Sequence, residues 1–348
     1  MVDVEFDVFV QGTVFSDLVL TGLPILPTRG TEVYAEGMGT SPGGIANLAI
    51  AASRLGLRTS LSAAFGDDVY GEFLWRTLAE QESVDLSRSR RFADWHSPVT
   101  VSLAVQRDRS MVTHSHPSPA TADDMIGDPP RARVGMVHLG EAPEPWAVKA
   151  RANGMQLFGD VGWDPSEEWS HDLLDNLKFF HAFMPNSTEA MAYTRTEDPR
   201  AALLRLAEDV PVVVVTCGGQ GSIAMDSITG EDEWVPSLPV NEVDATGAGD
   251  VFAAAFILGT LREWPLRHRL AFANLCAALS VQQVGGSLAA PGWGDLADWL
   301  AETQQRARTS RAAAVLAHSY EFLAEVLPEG PVRAVRRASA TIARTSDA

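Results

Sequence analysis

An aspartate stands at the mouth of a helix opened by small residues in the run Val243-Asp244-Ala245-Thr246-Gly247-Ala248-Gly249-Asp250, which leads straight into the apolar stretch Val251 to Gly259. Helix starts carry unpaired backbone N–H groups and a partial positive charge, so they bind anions. Small residues at 247–249 let a phosphate approach those N–H groups. Asp250, in the same turn, suits the removal of a proton from a hydroxyl that attacks the phosphate. The chemistry suggested is phosphoryl transfer to an alcohol. Taken alone, the run also describes a glycine-rich turn capping a core helix, with Asp250 as a helix N-terminal acid.

A second segment, Pro42-Gly43-Gly44-Ile45-Ala46-Asn47-Leu48-Ala49, enters a helical stretch ending at Arg54-Leu55-Gly56, and Gly66-Asp67-Asp68 and Gly71 follow. Together the two segments resemble the paired signatures of the ribokinase-like (PfkB-type) carbohydrate kinase family. The Gly-Gly-x-x-Asn entry, Gly56 and Gly66 fall at that family's spacing, as do Asp244, Gly247, Ala248, Gly249 and Asp250. The likeness runs from Phe6 to Pro291. Ile45 and Ala245 depart from the usual residues, and neither supplies the base or the anion-binding turn.

The resemblance implies an ATP- and Mg²⁺-dependent sugar kinase. Asp250 would be its general base and the N–H groups of Gly247, Ala248 and Gly249 its anion hole. Asp17, Gly43, Gly44 and Asn47 match the sugar-binding set, and Glu141 resembles a further acid seen in ribose-binding members. Asn186-Ser187-Thr188-Glu189 matches an Asn-x-x-Glu motif whose acid, Glu189, holds hydrated Mg²⁺ while Asn186 lies near the nucleotide. The same run also reads as a helix-capping pattern. Thr216, Gly218 and Gly221 resemble a Thr-x-Gly-x-x-Gly turn that lines the ATP site, and Asn274 matches a position beside the adenine. Asp244, Thr246, Ser280, Gln283, Gly285 and Ala289 fall where many members bind a K⁺-like ion.

Bulk properties narrow the class. The 348 residues suffice for one large α/β domain or two modest ones, and 46% hydrophobic content is ordinary for a packed globular protein. A formal charge of −18 argues against nucleic acid or an anionic membrane as partner. No apolar run reaches membrane-spanning length. The acidic start Met1-Val2-Asp3-Val4-Glu5 does not read as a signal peptide, and two cysteines, Cys217 and Cys276, fit a reducing cytoplasm. Lysine occurs only at Lys149 and Lys178, so a side-chain cation at the site is expected to be arginine, with Arg107 and Arg109 as candidates.

Positioning these groups requires a scaffold. Phe6–Gly12, the runs around 134–139, 155–158 and 179–183, and above all Val212–Val215 read as buried strands separated by helices. That alternation predicts a doubly wound α/β fold with a mostly parallel sheet and helices on both faces. Residues 13–36, rich in Gly, Pro and Thr, suit irregular structure with short strands. With 92–117 they would form a small β lid, which in the family often pairs two subunits. The kinase domain is expected over 1–304. Beyond it, 305–348 would be an extension with a helix over 311–326 and a disordered tail from 333.

Other readings compete. Phe15, Tyr34 and Trp95 near the lid could stack a base in a nucleoside kinase of the same fold. A sugar sensor without catalysis could keep the pocket, although the intact Gly-Ala-Gly-Asp turn counts against it. A nicotinamide dehydrogenase would need the Gly37-Met38-Gly39 segment as its dinucleotide turn, where the glycine spacing is wrong. His114 and His116 alternate on a strand but lack a third zinc ligand nearby in sequence.

Overall fold

The computed structural model describes residues 4–105, 108–140, 142–162, 167–338 and 343–344. The chain opens with β1 (Phe6–Gln11), β2 (Val14–Leu23), β3 (Gly37–Gly44), α1 (Ala46–Arg54), β4 (Thr59–Ser62) and β5 (Ala64–Gly66). Next come α2 (Val69–Arg76), β6 (Arg90–Phe92), β7 (Val99–Val105), β8 (Asp108–His114) and α3 (Ala122–Ile126). The central part holds β9 (Ala132–His138), α4 (Pro145–Ala152), β10 (Gln156–Asp160), β11 (Ala182–Phe183), α5 (Ser187–Thr194), α6 (Pro199–Leu206) and β12 (Val212–Thr216). β13 (Ser222–Asp226), β14 (Glu231–Val235), α7 (Ala248–Leu261), α8 (Leu266–Ser280), α9 (Trp293–Ala307), α10 (Arg311–Ser319) and α11 (Leu323–Val326) complete it.

The main sheet runs β14-β13-β12-β11-β10-β9-β1-β4, parallel from β4 to β12, with an antiparallel hairpin at the β14 edge. Side-chain alternation divides its core in two. Val8 and Val10 of β1, Phe158 of β10 and Val212 and Val214 of β12 pack with α1, α7 and α8. Phe9, Leu157, Val213 and Val215 pack with Trp146 of α4, Ala190 of α5 and Leu203 of α6. Both faces are covered, which is why these strands carry uninterrupted apolar runs. The fold is the doubly wound α/β arrangement expected. α7 is apolar all round and buried from Val251 to Gly259 between α1 and α8. Among the described residues no helix is long and apolar enough to cross a membrane.

A second sheet, β3-β2-β7-β8, stands beside the first, and Ala343–Arg344 pair with the outer edge of β3. Two expectations need correction. Residues 14–23 form one ten-residue strand rather than short pieces. Pairing with β3 on one side and β7 on the other overrides their mixed propensity. The Gly37-Met38-Gly39 segment, already set aside as a dinucleotide turn on its glycine spacing, is extended β3. Second, only Ala182–Phe183 of the 179–183 run is strand, because 171–179 coil into a 3₁₀ stretch that buries Leu174 and Leu177 three residues apart.

The expected disordered tail is also partly overturned. Residues 331–338 lie packed on the kinase body, with Ala338 N–H donating to the Leu288 carbonyl at 3.1 Å. The extension helix breaks at Tyr320, whose ring is buried against Trp299 and Phe322.

Candidate active site

Gly247 caps α7 with φ +73°, a left-handed conformation that side chains disfavour. A Cβ there would lie 3.0 Å from Asn47 Cγ. The glycine therefore serves both the turn and the close approach of α1. Both helices carry buried alanines, Ala46 and Ala49 on α1 and Ala253 and Ala254 on α7, in the same core cluster. Between the two helices Asn47 Nδ2 donates to Asp250 Oδ2 at 3.1 Å, joining residues 203 positions apart. Among the described residues Asn47 Oδ1 and Ser41 Oγ are buried without a hydrogen-bond partner, and both lie beside Gly286.

Burial raises the Asp250 carboxyl to about 6, with the Asn47 hydrogen bond pulling the other way. Two further carboxyls lie near enough to matter. Burial holds Asp160, at the end of β10, well above the usual carboxylate range, and the charges of Glu189 and Asp250 push it further. Burial also raises Glu189. The N–H of Ala248 turns back to the Ala245 carbonyl at 3.2 Å, so this member of the expected anion hole is committed to the turn. Gly249 and Asp250 sit in the first turn of α7, where helix geometry offers their N–H groups no carbonyl.

Asp17 on β2 lies directly on Gly43 of β3, where any side chain would collide with its carboxylate. It shares a sheet face with Thr100 and Thr113, whose hydroxyls meet at 3.0 Å. Phe15 abuts Gly44, whose φ is +63°. Glu141 and Arg107 lie outside the described residues. Tyr34 is solvent-facing beside Glu32, and Trp95 is tied to the Pro117 carbonyl, so of the three rings considered for base stacking only Phe15 meets the glycines of this site.

On the other side of the α7 N-terminus lies a cavity of about 390 Å³, lined by Thr216, Gly218, Gly221, Ala248, Gly249 and Asn274 among others. A side chain at Gly221 (φ +100°) would strike the Val235 carbonyl. Asn274 is spent internally, donating to Val235 O at 3.0 Å and accepting from Ser222 Oγ at 3.2 Å, so it shapes the wall. Asn186 and Glu189 form a reciprocal capping box on α5, each bond 3.0 Å long. The capping pattern is thus real, and it fixes the Glu189 carboxylate near Asp160.

Asp244 accepts from Thr246 N and Oγ1 at 2.9 and 2.5 Å and from Gly285 N at 3.4 Å. Ser280 Oγ donates to Ala277 O inside its helix, and Gln283 N–H donates to Ser280 O. Ala289 is buried at the end of the turn Gly286–Ala289. Sequence reasoning missed three residues here. Asp160 had a signal, a carboxylate at the C-terminal end of a buried parallel strand, where ligand sites gather. Arg54 had one as well, a cation inside a helix of small apolar residues. It grips Glu82 through Nε and Nη2 (2.8 and 2.6 Å) and gives Nη1 to the Leu288 and Ala290 carbonyls at 2.8 and 2.6 Å. Ser41 had none. His114 and His116 touch, with His96 beyond, but among the described residues no group of three or more His, Cys, Asp or Glu is arranged to hold a metal.

Residues 7–292 match the pfkB family carbohydrate kinase profile. The chain belongs to that family. The kinase is 25% identical over 304 residues to a ribokinase of Schizosaccharomyces pombe, covering 82% of this chain and 95% of that one. It is 29% identical over 279 residues to a fructokinase of Klebsiella pneumoniae, covering 73% and 90%. Its fold superposes on Arabidopsis thaliana ribokinase complexed with ribose and ATP, with a TM-score of 0.68 at 24% identity over 82% of this chain and 96% of the other. Membership removes the dehydrogenase reading.

Proposed function

We propose that this sugar kinase transfers the γ-phosphoryl group of ATP to a hydroxyl of a small carbohydrate, with Asp250 as general base. The observation that carries this reading is the Asn47–Asp250 hydrogen bond, which joins the two signature segments at the start of α7. Asp17, Gly43, Gly44 and Asn47 would hold the sugar. Carboxylate and amide groups pair with adjacent hydroxyls, and Asn47 Oδ1 and Ser41 Oγ are buried acceptors with unused capacity. The base accepts the hydroxyl proton at Oδ1 or Oδ2 as the oxygen–phosphorus bond forms, and the bond to ADP breaks. The α7 N-terminus receives the charge of the moving group.

The nucleotide fits the glycine-walled cavity of about 390 Å³. Mg²⁺ would be held through water by Glu189, whose carboxylate the capping box on α5 fixes near Asp160. When bound, it would screen the phosphate charges. Asp244, Thr246, Ser280, Gln283, Gly285 and Ala289 frame the loop that would hold a K⁺-like ion. Closure of the second sheet would exclude water and suppress ATP hydrolysis. The outer face of that sheet, with Leu18, Leu20, Val101, Leu103 and exposed Met38 and Val112, supports pairing of two copies.

The test is ADP release from ATP and Mg²⁺ over a panel including D-ribose, D-fructose, 2-keto-3-deoxygluconate and nucleosides. Sugar-dependent turnover lost in Asp250→Asn supports the reading. Turnover only with nucleosides would redirect it, and near-normal turnover of the variant would remove the base.

A further inference from the structure

The family match ends at residue 292, yet the chain beyond it is bonded to the frame of the phosphoryl-binding loop. After a 3₁₀ turn at Pro331–Ala334 the backbone crosses the start of α9. Gly294 N–H donates to the Val335 carbonyl at 2.8 Å and Arg337 N–H to Asp295 Oδ2 at 2.8 Å. The crossing is so close that a side chain at Gly292 would meet the Val335 carbonyl at 2.3 Å. Two bonds then reach inward. Arg337 Nη1 donates to the Leu279 carbonyl at 3.0 Å, and Ala338 N–H donates to the Leu288 carbonyl at 3.1 Å.

Both carbonyls belong to arms that hold the loop 243–247. Leu279 lies in the last turn of α8, where a cation is favoured by the helix dipole. Two residues on, the Val281 carbonyl accepts the N–H groups of Val243 and Asp244 at 2.7 and 3.1 Å. Leu288 lies in the turn Gly286–Ala289, whose first residue packs near Asn47 Oδ1, Thr246 and Ser41. Arg54 Nη1 donates to the same Leu288 carbonyl at 2.8 Å. Asp295 lies 3.5 Å from Arg337 Nε and balances its charge, so the guanidinium is held in register between α8 and α9.

We propose that residues 335–338 clamp the two arms carrying the phosphoryl-binding loop, with Arg337 as the central positioning residue, so that turnover depends on a segment outside the family's matched region. The proposal rests on the reading of 244–250 as the phosphoryl site. Arg337 acts through Leu279 and the Val281 carbonyl and is not itself a catalytic residue. Its neighbour Arg336 pairs with exposed Asp298 and reaches neither arm, which makes it the control.

Hydrogen exchange on the full chain, without sugar, tests the clamp independently of activity. Peptides covering 241–249 and 283–290 should exchange faster in Arg337→Ala and in Ala338→Pro, which lacks the donated N–H, and should be unchanged in Arg336→Ala. With whichever panel sugar the wild type phosphorylates, Arg337→Ala should lower kcat about tenfold to a hundredfold with KM for the sugar held, the expected loss for a displaced reacting group. Arg337→Lys should recover part of it. Unchanged exchange in those peptides, exchange that rises without loss of kcat, or an equal effect from Arg336→Ala each overturns the proposal. If Arg337→Ala does not fold, Ala338→Pro decides. If the wild type phosphorylates no sugar, the kinase-site reading fails while the exchange result still judges the clamp.

Discussion

The raised carboxyl of Asp250 links catalysis to pH and to stability in opposite senses. A general base must be ionised, so kcat/KM should be maximal well above pH 6, half-maximal near its value of about 6, and fall about tenfold per unit below. A flat profile down to pH 5 would remove Asp250 from the proton transfer. For stability, the fold favours the protonated form of this acid. That contribution is full below the ordinary value of 3.8 and is lost as pH rises through about 6. Asp250→Asn should therefore gain on the order of 1–3 kcal/mol at pH 8, read as a higher melting point, while losing activity by orders of magnitude. Gly247→Ala should lose both. Its Cβ would face Asn47 in a left-handed conformation, at a cost of about 1 kcal/mol for the backbone alone. A melting point and kcat equal to wild type would show that the turn tolerates a side chain.

At the scale of elements, α1 does more than present Asn47. Its last residue, Arg54, is 3% exposed and ties the helix to Glu82 and to the 288–290 turn. Arg54→Met would strand the Glu82 charge in the interior, and a loss of about 3–5 kcal/mol is expected by chemical denaturation. Arg54→Met with Glu82→Leu should recover much of it, and no recovery would mean that the carbonyl contacts dominate. The strands, the α7 entry and the α1 entry were legible because buried parallel strands write continuous apolar runs and tight turns demand glycine. β2 was not, since its order comes from two flanking strands remote in sequence. The capping box at Asn186–Glu189 shows one motif serving local structure and site together. Asp160 escaped because a single acid has no spacing, and only the fold brings it toward Glu189 and Asp250.

For the whole molecule, the partly bare apolar face of the second sheet predicts self-association. Sedimentation should give a dimer, and Val101→Glu with Val112→Glu should shift it to monomer with the melting curve of the body retained. A wild-type monomer at micromolar concentration would sink this expectation. The C-terminal strap escaped sequence reading because an Arg-, Ala- and Ser-rich run resembles a loose tail, and its order rests on bonds to Leu279, Leu288 and Asp295 far upstream. One last trait concerns the Oδ1 of Asn47 and the Oγ of Ser41, buried with no partner among the described residues. Both can accept hydrogen bonds from the hydroxyls of a visiting polyol. A ligand that binds the folded chain through them ought to make the protein hardier against heat whenever its nutrient is plentiful.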